Sequence, residues 1–249
     1  MKLAEGERLD LLFFELASED RLNILRELNK TSLKMQDIAR KLDLTATEAS
    51  RQLQRMSKAE LIERLPEGLY TATQFGKLVL SLSPSLEFAI KHKQYFLNHN
   101  IWKLPSSFIF RLGELSQGVL LTEMGEVMIR WEELIKAAEE HLWVMTPQRI
   151  PSLVRVIEER HSKGVKLRYI NTEQLSLTYP NILTEHRVER RIFNNFDFGI
   201  LAAEKEAMLA LPFMDGTPNP SGFFGHDPAF LNWVHDLFLY YWDQAKRWK

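Results

Sequence analysis

Apolar side chains in the first eighty residues recur at helical spacing and then change to strand-like runs. Leu9, Leu12, Phe13 and Leu16 predict a helix over 7–17. Ser18 is placed as an N-cap, with Glu19 and Asp20 suiting the positive end of a second helix that buries Leu22, Ile24, Leu25 and Leu28. Thr31 or Ser32 is placed to cap a short third helix around 34–41, with Ile38 inward. A tight turn at Asp43–Leu44 leads to a helix that Thr45 caps, whose apolar stripe is Ala49, Leu53 and Met56. Leu61–Leu65 and Leu69–Thr73 read as strands, and Pro66-Glu67-Gly68 between them is turn chemistry.

The polar face of the Thr45 helix changes the picture. At about 100° per residue, Thr47, Arg51, Gln54 and Lys58 point away from the stripe, flanked by Ser50 and Arg55. Such a face suits the major groove, where base edges present distinct donor and acceptor patterns. Taken alone it reads more readily as a solvated surface; the order helix, helix, turn, helix, hairpin is the more specific signal. That order predicts a winged helix-turn-helix over residues 1–82. The candidate DNA contacts are Thr45, Thr47, Ser50, Arg51, Gln54, Arg55, Lys58 and, on the wing, Arg64. The net charge of −1 gives no support of its own. Its distribution does: residues 30–64 carry eight cationic and five acidic side chains, residues 1–29 four and seven. Glu67 at the wing tip shifts the expected reading onto the helix. The stretch LDLTATEASRQLQRMSKAELIERL resembles the winged helix of ArsR and related archaeal regulators. Thr45 opens the helix, Ser50-Arg51 sits mid-helix and Leu61-Ile62 starts the wing, although Ala46 is small where a polar residue is usual. The resemblance covers about residues 15–75 and implies double-stranded DNA as a partner.

Residues 74–82 and 85–100 predict two helices separated at Ser83-Pro84, and 83–104 form a connector that reads either as a dimerisation helix or as a packing linker; the helix over 7–17 is the other candidate for a dimer contact. From Pro105 the pattern alternates: a helix at 125–140 on Trp131, Leu134, Ile135 and Ala138; a strand at 142–145; a helix at 150–162 closed by Gly164; a strand at 165–170. This predicts an α/β layer structure with parallel strands over 105–249. Strands at 188–193, 199–203 and 207–211 follow, the last two as a hairpin, then a loop at 215–222 and a helix at 228–246. LPSSFIFRLGELSQG, the Trp131 helix, the Trp143 strand and the terminal Trp233…Tyr241-Trp242 resemble the C-terminal domain of Fil-type archaeal methanogenesis regulators, over about residues 103–247. The arrangement is also similar to TrmB-type regulators, whose effector domain is phospholipase-D-like. The resemblance implies a two-domain α/β protein in which a phospholipase-D-like sensor domain follows the DNA-binding one.

Composition narrows the chemistry. With no cysteine, thiolate metal sites and disulfides are excluded. The charged MKLAEGERLD start and the lack of a long apolar run predict a cytoplasmic protein without membrane contact. Phospholipase-D chemistry needs H-x-K-x4-D; His161 and Lys163 fit, but position 168 is Arg168, so no enzymatic activity is expected. His92 and His99 lack a third ligand, and neither metal nor cofactor is expected. Candidate effector contacts are Arg111, Glu114, Asn194, Asp197, Phe213 and Asp215, each also readable as structural. The resulting expectation is a homodimeric transcription regulator whose second domain converts a small-molecule signal into altered DNA affinity. The alternative makes that domain an interaction or oligomerisation module without ligand.

Overall fold

The computed structural model describes residues 8–179 and 188–248. The reading of the charged N-terminal residues 1–7 lies outside them. The chain divides into two compact units between Ser83 and Pro84.

In the first unit, α1 (Leu9–Leu16) precedes α2 (Glu19–Lys30), β1 (Leu33–Lys34), α3 (Met35–Lys41), α4 (Ala46–Lys58), β2 (Ile62–Arg64) and β3 (Leu69–Ala72). The strands form an antiparallel sheet in the order β1-β3-β2. Ile24, Leu25, Leu28, Ile38, Leu53, Met56 and Leu61 make its core. Ser18 is the N-cap of α2 as expected, although its side chain makes no capping hydrogen bond. One capping expectation is corrected. Thr31 ends α2, and α3 starts after Lys34. The reason is β1: Leu33 and Lys34 pair with Tyr70 and Leu69, so the chain runs extended where a cap was expected.

α5 (Gln74–Lys91) contains Pro84. The break expected at Ser83-Pro84 is therefore absent; a proline removes one helical hydrogen bond without having to end the helix. The start of α5 is pinned to the wing. The Thr73 hydroxyl donates to the Glu60 carbonyl (2.6 Å) and accepts from the Gly76 amide (2.9 Å). A Cβ at Gly76 would lie 2.1 Å from the Leu61 carbonyl oxygen, so only glycine allows that approach.

The second unit continues with α6 (Lys93–Asn98), α7 (Ser106–Ile109), β4 (Val119–Leu121), α8 (Met124–Ala137), β5 (His141–Met145), α9 (Pro151–Ser162), β6 (Lys166–Asn171), α10 (Glu173–Thr178), β7 (Glu189–Ile192), β8 (Gly199–Ala203), β9 (Ala207–Ala210), β10 (Gly222–Gly225), α11 (Pro228–Gln244) and β11 (Lys246–Arg247). Eight strands form one sheet in the order β11-β7-β6-β5-β8-β9-β10-β4. β5, β6 and β7 are parallel, as helix–strand alternation requires, and the remaining pairs are antiparallel. The predicted hairpin is β8–β9. β4, β10 and β11 were not expected from sequence: the first and last are short, and β10 (Gly222-Phe223-Phe224-Gly225) follows a glycine- and proline-rich loop.

The sheet separates two cores. Leu142, Val144, Leu167, Tyr169, Leu201 and Met208 pack with Leu134 and Ile135 of α8 and Leu153 and Ile157 of α9. Met145, Ile170, Ile200, Leu209 and Phe223 face Phe230, Trp233, Leu237, Phe238 and Tyr241 of α11. Adjacent strand residues fall on opposite sides, the two-residue period of a sheet buried on both faces. α11 starts on Asp227, whose carboxylate accepts from the Ala229 and Phe230 amides, with Pro228 at its first position.

Candidate functional site

The first unit presents one well-defined polar face, on α4. Asp43 adopts φ 52°, which reverses the chain between α3 and α4. Thr45 then starts α4 with a reciprocal cap. Its hydroxyl accepts from the Glu48 amide, and the Glu48 carboxylate accepts from the Thr45 amide (2.9 Å). These bonds hold the Glu48 carboxyl below its ordinary range, the Thr45 amide contributing most. The T-x-x-E spacing was legible in sequence, but only Thr45 was read from it.

Ala49, Gln52, Leu53 and Met56 are the buried side of α4. Thr47, Arg51, Gln54 and Lys58 are exposed together, with Ser50 half-buried at the margin. The structure thus brings four of the predicted contact residues onto one solvent face. Thr45 lies at its N-terminal edge with its hydroxyl committed to the cap. Arg64 is exposed on β2 with its guanidinium 5.9 Å from the Tyr70 ring, within the wing.

Arg55 stands apart from this face. Its guanidinium binds the Glu15 carboxylate through two bonds (3.1 and 2.8 Å) and lies 5.1 Å from the Phe14 ring centre. The Glu15 hydrogen bond raises its pKa. Arg55 therefore ties α4 to α1. Close by, buried Arg21 donates to the carbonyls of Phe14 and Glu15 and to Gln52 Oε1 (3.1 Å). Arg21, Glu15 and Gln52, which seat α4, were missed in sequence because polar residues at helix positions read as surface by default.

In the second unit the candidate effector residues are dispersed. Arg111 pairs with Glu114 (2.7 and 2.8 Å) and with Asp236 (2.8 Å), and these carboxylates hold its pKa above the ordinary value, Glu114 first. Asn194 accepts from the Glu173 amide (2.8 Å) at the start of α10. Asp197 pairs with Lys103 (2.9 Å) and lies beside Gly216, in the loop that carries Phe213 and Asp215. Phe213 stacks on His99 at 5.0 Å, and Asp215 accepts from the Thr217 amide (2.8 Å), which lowers its pKa. Apart from the Arg111–Glu114 pair, the residues that come together are Asp197 and those of the 213–217 loop, which carries Phe213 and Asp215. Each residue of the H-x-K segment has a local partner: His161 Nδ1 is 2.9 Å from the Val165 carbonyl oxygen, Lys163 pairs with Glu159, and Arg168, which lines a cavity together with His161, lies against Trp143 and Trp242. Among the described residues, no cluster of three or more His, Cys, Asp or Glu is placed to hold a metal ion. No described helix is long and apolar enough to cross a membrane.

Comparison with known proteins gives two family matches. Residues 9–93 match the HVO_A0261 N-terminal domain. Residues 124–244 match the middle domain of the methanogenesis regulatory protein FilR1, in line with the Fil-type resemblance read over 103–247. No curated protein sequence matches significantly. Among solved structures, TrmBL2, described as an archaeal chromatin protein with a novel mode of DNA binding, is 14% identical with a TM-score of 0.46, over 87% of this chain and 88% of its own. Nuc from Salmonella typhimurium, a phospholipase D family member, is 11% identical with a TM-score of 0.43, over 53% of this chain and 99% of its own. NucT from Helicobacter pylori is 11% identical with a TM-score of 0.42, over 53% of this chain and 98% of its own. At those scores none of the three structures decides function. The chain is thus similar to the HVO_A0261 N-terminal domain in its first part and, in its second, to a domain of a methanogenesis regulatory protein.

Proposed function

We propose that the protein is a sequence-specific DNA-binding transcription regulator that works as a homodimer and whose second unit adjusts DNA affinity in response to an intracellular signal. The observation that carries the reading is the α4 face. Thr47, Arg51, Gln54 and Lys58 are exposed together on a helix fixed by a reciprocal cap and a buried Arg21–Gln52 bond. Hydrogen-bonding side chains on a rigid helix are what base-edge recognition requires. The match to a regulatory protein's domain over 124–244 supports the regulatory part.

Two-fold assembly is supported by α1. None of its residues is buried, and Leu9, Leu11, Phe13 and Phe14 are all exposed, 43% or more. Beside it, Leu9, Leu11, Leu12 and Phe75 line an open groove together with charged residues that include Glu15, Arg55 and Lys58. An apolar helix left uncovered in one copy calls for a partner surface, and two recognition helices for two half-sites call for a second copy of the chain. Trp102 and Phe110, exposed at 77% and 81%, favour the second reading, in which the second unit docks protein rather than ligand.

Genome-wide mapping of bound DNA tests the central claim. A shared sequence element upstream of a limited gene set is expected. Uniform occupancy without sequence preference would replace specific regulation with general coating of DNA.

A further inference from the structure

The starts of β5, β6 and β7 border an open cleft of about 870 Å³. Strand register sets its side chains. His141 of β5 lies opposite Lys166 of β6, and Trp143 lies opposite Arg168, which in turn lies opposite Glu189 of β7. Residues two apart on a strand project to the same face, as do registered neighbours, so these five share one face of the sheet. All five line the cleft, with His161 from the end of α9. Among the described residues that line it, Glu189 is the one acid.

Arg168 is held in place with its donors unused. Its guanidinium carbon lies 5.3 Å from the Trp143 ring centre and 5.2 Å from that of Trp242. Trp242 is fixed in turn by Arg191, which donates to its carbonyl oxygen (2.6 Å) and lies 4.3 Å from its ring centre. Aromatic faces attract a cation but offer no oxygen to its N–H groups. Glu189 Oε2 is 3.6 Å from Arg168 Nε, beyond hydrogen-bond distance, and the Glu189 side chain is 62% exposed. Among the described residues, the Arg168 guanidinium makes no hydrogen bond, and the Lys166 ammonium has neither a hydrogen bond nor an ion pair.

A guanidinium presents its donors in a planar fork that matches the oxygens of a carboxylate or a phosphate. Charge separates those two. Lys166 and Arg168 stand two residues apart on β6, roughly 7 Å along the strand. A carboxylate has one charge and two oxygens, which Arg168 alone would serve. A phosphate monoester is close to a dianion at neutral pH and has three acceptor oxygens, enough for both cations. Burial lowers the His141 pKa, so that ring adds no charge at neutral pH.

We infer that this cleft binds a small phosphorylated molecule, with two phosphate oxygens on the Arg168 fork, the third toward Lys166, and Glu189 turned out to solvent. Taking that molecule as the signal rests on reading the second unit as the regulatory part. The site also differs from the sequence expectation, which placed effector contacts in loops and weighed His161 and Arg168 only for catalysis.

The full chain, labelled with 15N at the tryptophan indoles, is titrated with inorganic phosphate and separately with acetate, at neutral pH and one ionic strength held with sodium chloride. Trp143 and Trp242 flank Arg168 and supply the readout, and Trp131, packed on the other side of the sheet, is the reference. Phosphate should move the Trp143 and Trp242 peaks saturably and leave Trp131 in place, and acetate should bind about fivefold more weakly. Arg168→Lys keeps the charge but loses the fork, and should weaken phosphate about tenfold. Lys166→Gln should weaken it about threefold, and Glu189→Gln, which removes the competing carboxylate, should tighten it about twofold. Lys166 and Glu189 are exposed, so these two variants keep the test decisive even where Arg168→Lys fails to fold. Absence of a saturable shift in the wild type overturns the site. Acetate binding as tightly as phosphate, or phosphate affinity unchanged by Arg168→Lys and Lys166→Gln, overturns the phosphate assignment. A duplex of arbitrary sequence that moves the same peaks and is displaced by phosphate would give the cleft to the DNA backbone and overturn the small-molecule reading. Affinity for the mapped DNA element is followed at the same ionic strength. Phosphate binding that leaves it unchanged refutes the regulatory use alone, whereas intact DNA binding with no phosphate binding refutes the cleft alone.

Discussion

Arg21→Met tests how α4 is held. Arg21 is 6% exposed and donates to two carbonyls at the end of α1 and to Gln52 Oε1. Methionine matches the length of the side chain but supplies no donor. The Phe14 and Glu15 carbonyls end a helix that has no buried residue, so water replaces much of what they lose. Gln52 Oε1 has no such recourse, because Gln52 is itself buried, 6% exposed. An orphaned buried acceptor costs about 1–3 kcal/mol, and breaking a buried charged contact from one side about 3–5. The expected loss is therefore about 3 kcal/mol. In a unit that ends at Ser83, this corresponds to a fall in Tm of roughly 10–20 °C. The assay has a built-in reference. All six tryptophans, from Trp102 to Trp248, lie in the second unit. Tryptophan fluorescence then follows that unit, and far-UV ellipticity follows both, at one fixed protein concentration. Only the first-unit transition should move. Adding Gln52→Leu should restore about 1–2 kcal/mol, since an apolar side chain no longer needs the donor. A first-unit shift under about 1 kcal/mol, or a double variant no more stable than the single, would refute the argument that this bond seats the helix.

Four further outcomes are expected. Arg51→Ala should weaken binding to the mapped element by about 1–3 kcal/mol, with less loss on unrelated duplex, in a salt-series anisotropy titration; equal loss on both would make Arg51 a phosphate contact. Arg55→Ala should lower the first-unit Tm and leave the salt slope of DNA binding unchanged, because its guanidinium is held by Glu15. The proposed dimer should sediment as a dimer, and Phe13→Glu should convert it to monomer; a dimer that persists would move the interface away from α1. The His141 and His235 Nε2 atoms lie 3.4 Å apart, and burial is the largest cause lowering both pKa values. The unfolded chain therefore takes up protons first. Second-unit stability should be full above about pH 6.5 and fall as pH drops below it, with His235→Gln shallower in fluorescence-monitored unfolding.

What the sequence disclosed and what it hid divide along a physical line. The α4 stripe of Ala49, Leu53 and Met56 was legible because burial repeats at the helical period. So were Thr45 as cap and β8–β9 as a hairpin, because both are local. β1 was not legible: two residues leave no alternation, and Leu33 and Lys34 become a strand only because β3, more than thirty residues on, offers its edge. Arg55 shows the same limit among the functional residues. By helical angle it borders the exposed face, and on sequence it belongs with Arg51. Its role is set by Glu15, forty residues earlier and on another helix.

Removing Arg55 and the capped Thr45 hydroxyl from the free donors leaves Thr47, Arg51, Gln54 and Lys58 as the face available to DNA. The same Arg55–Glu15 pair joins α4 to α1, whose exposed Leu9, Leu11 and Phe13 are the surface proposed to meet a second copy. The proposed dimer contact and the proposed recognition helix are thus linked by one ion pair. If two copies meet at α1 as proposed, a change in how they meet reaches α4 through the Arg55–Glu15 pair.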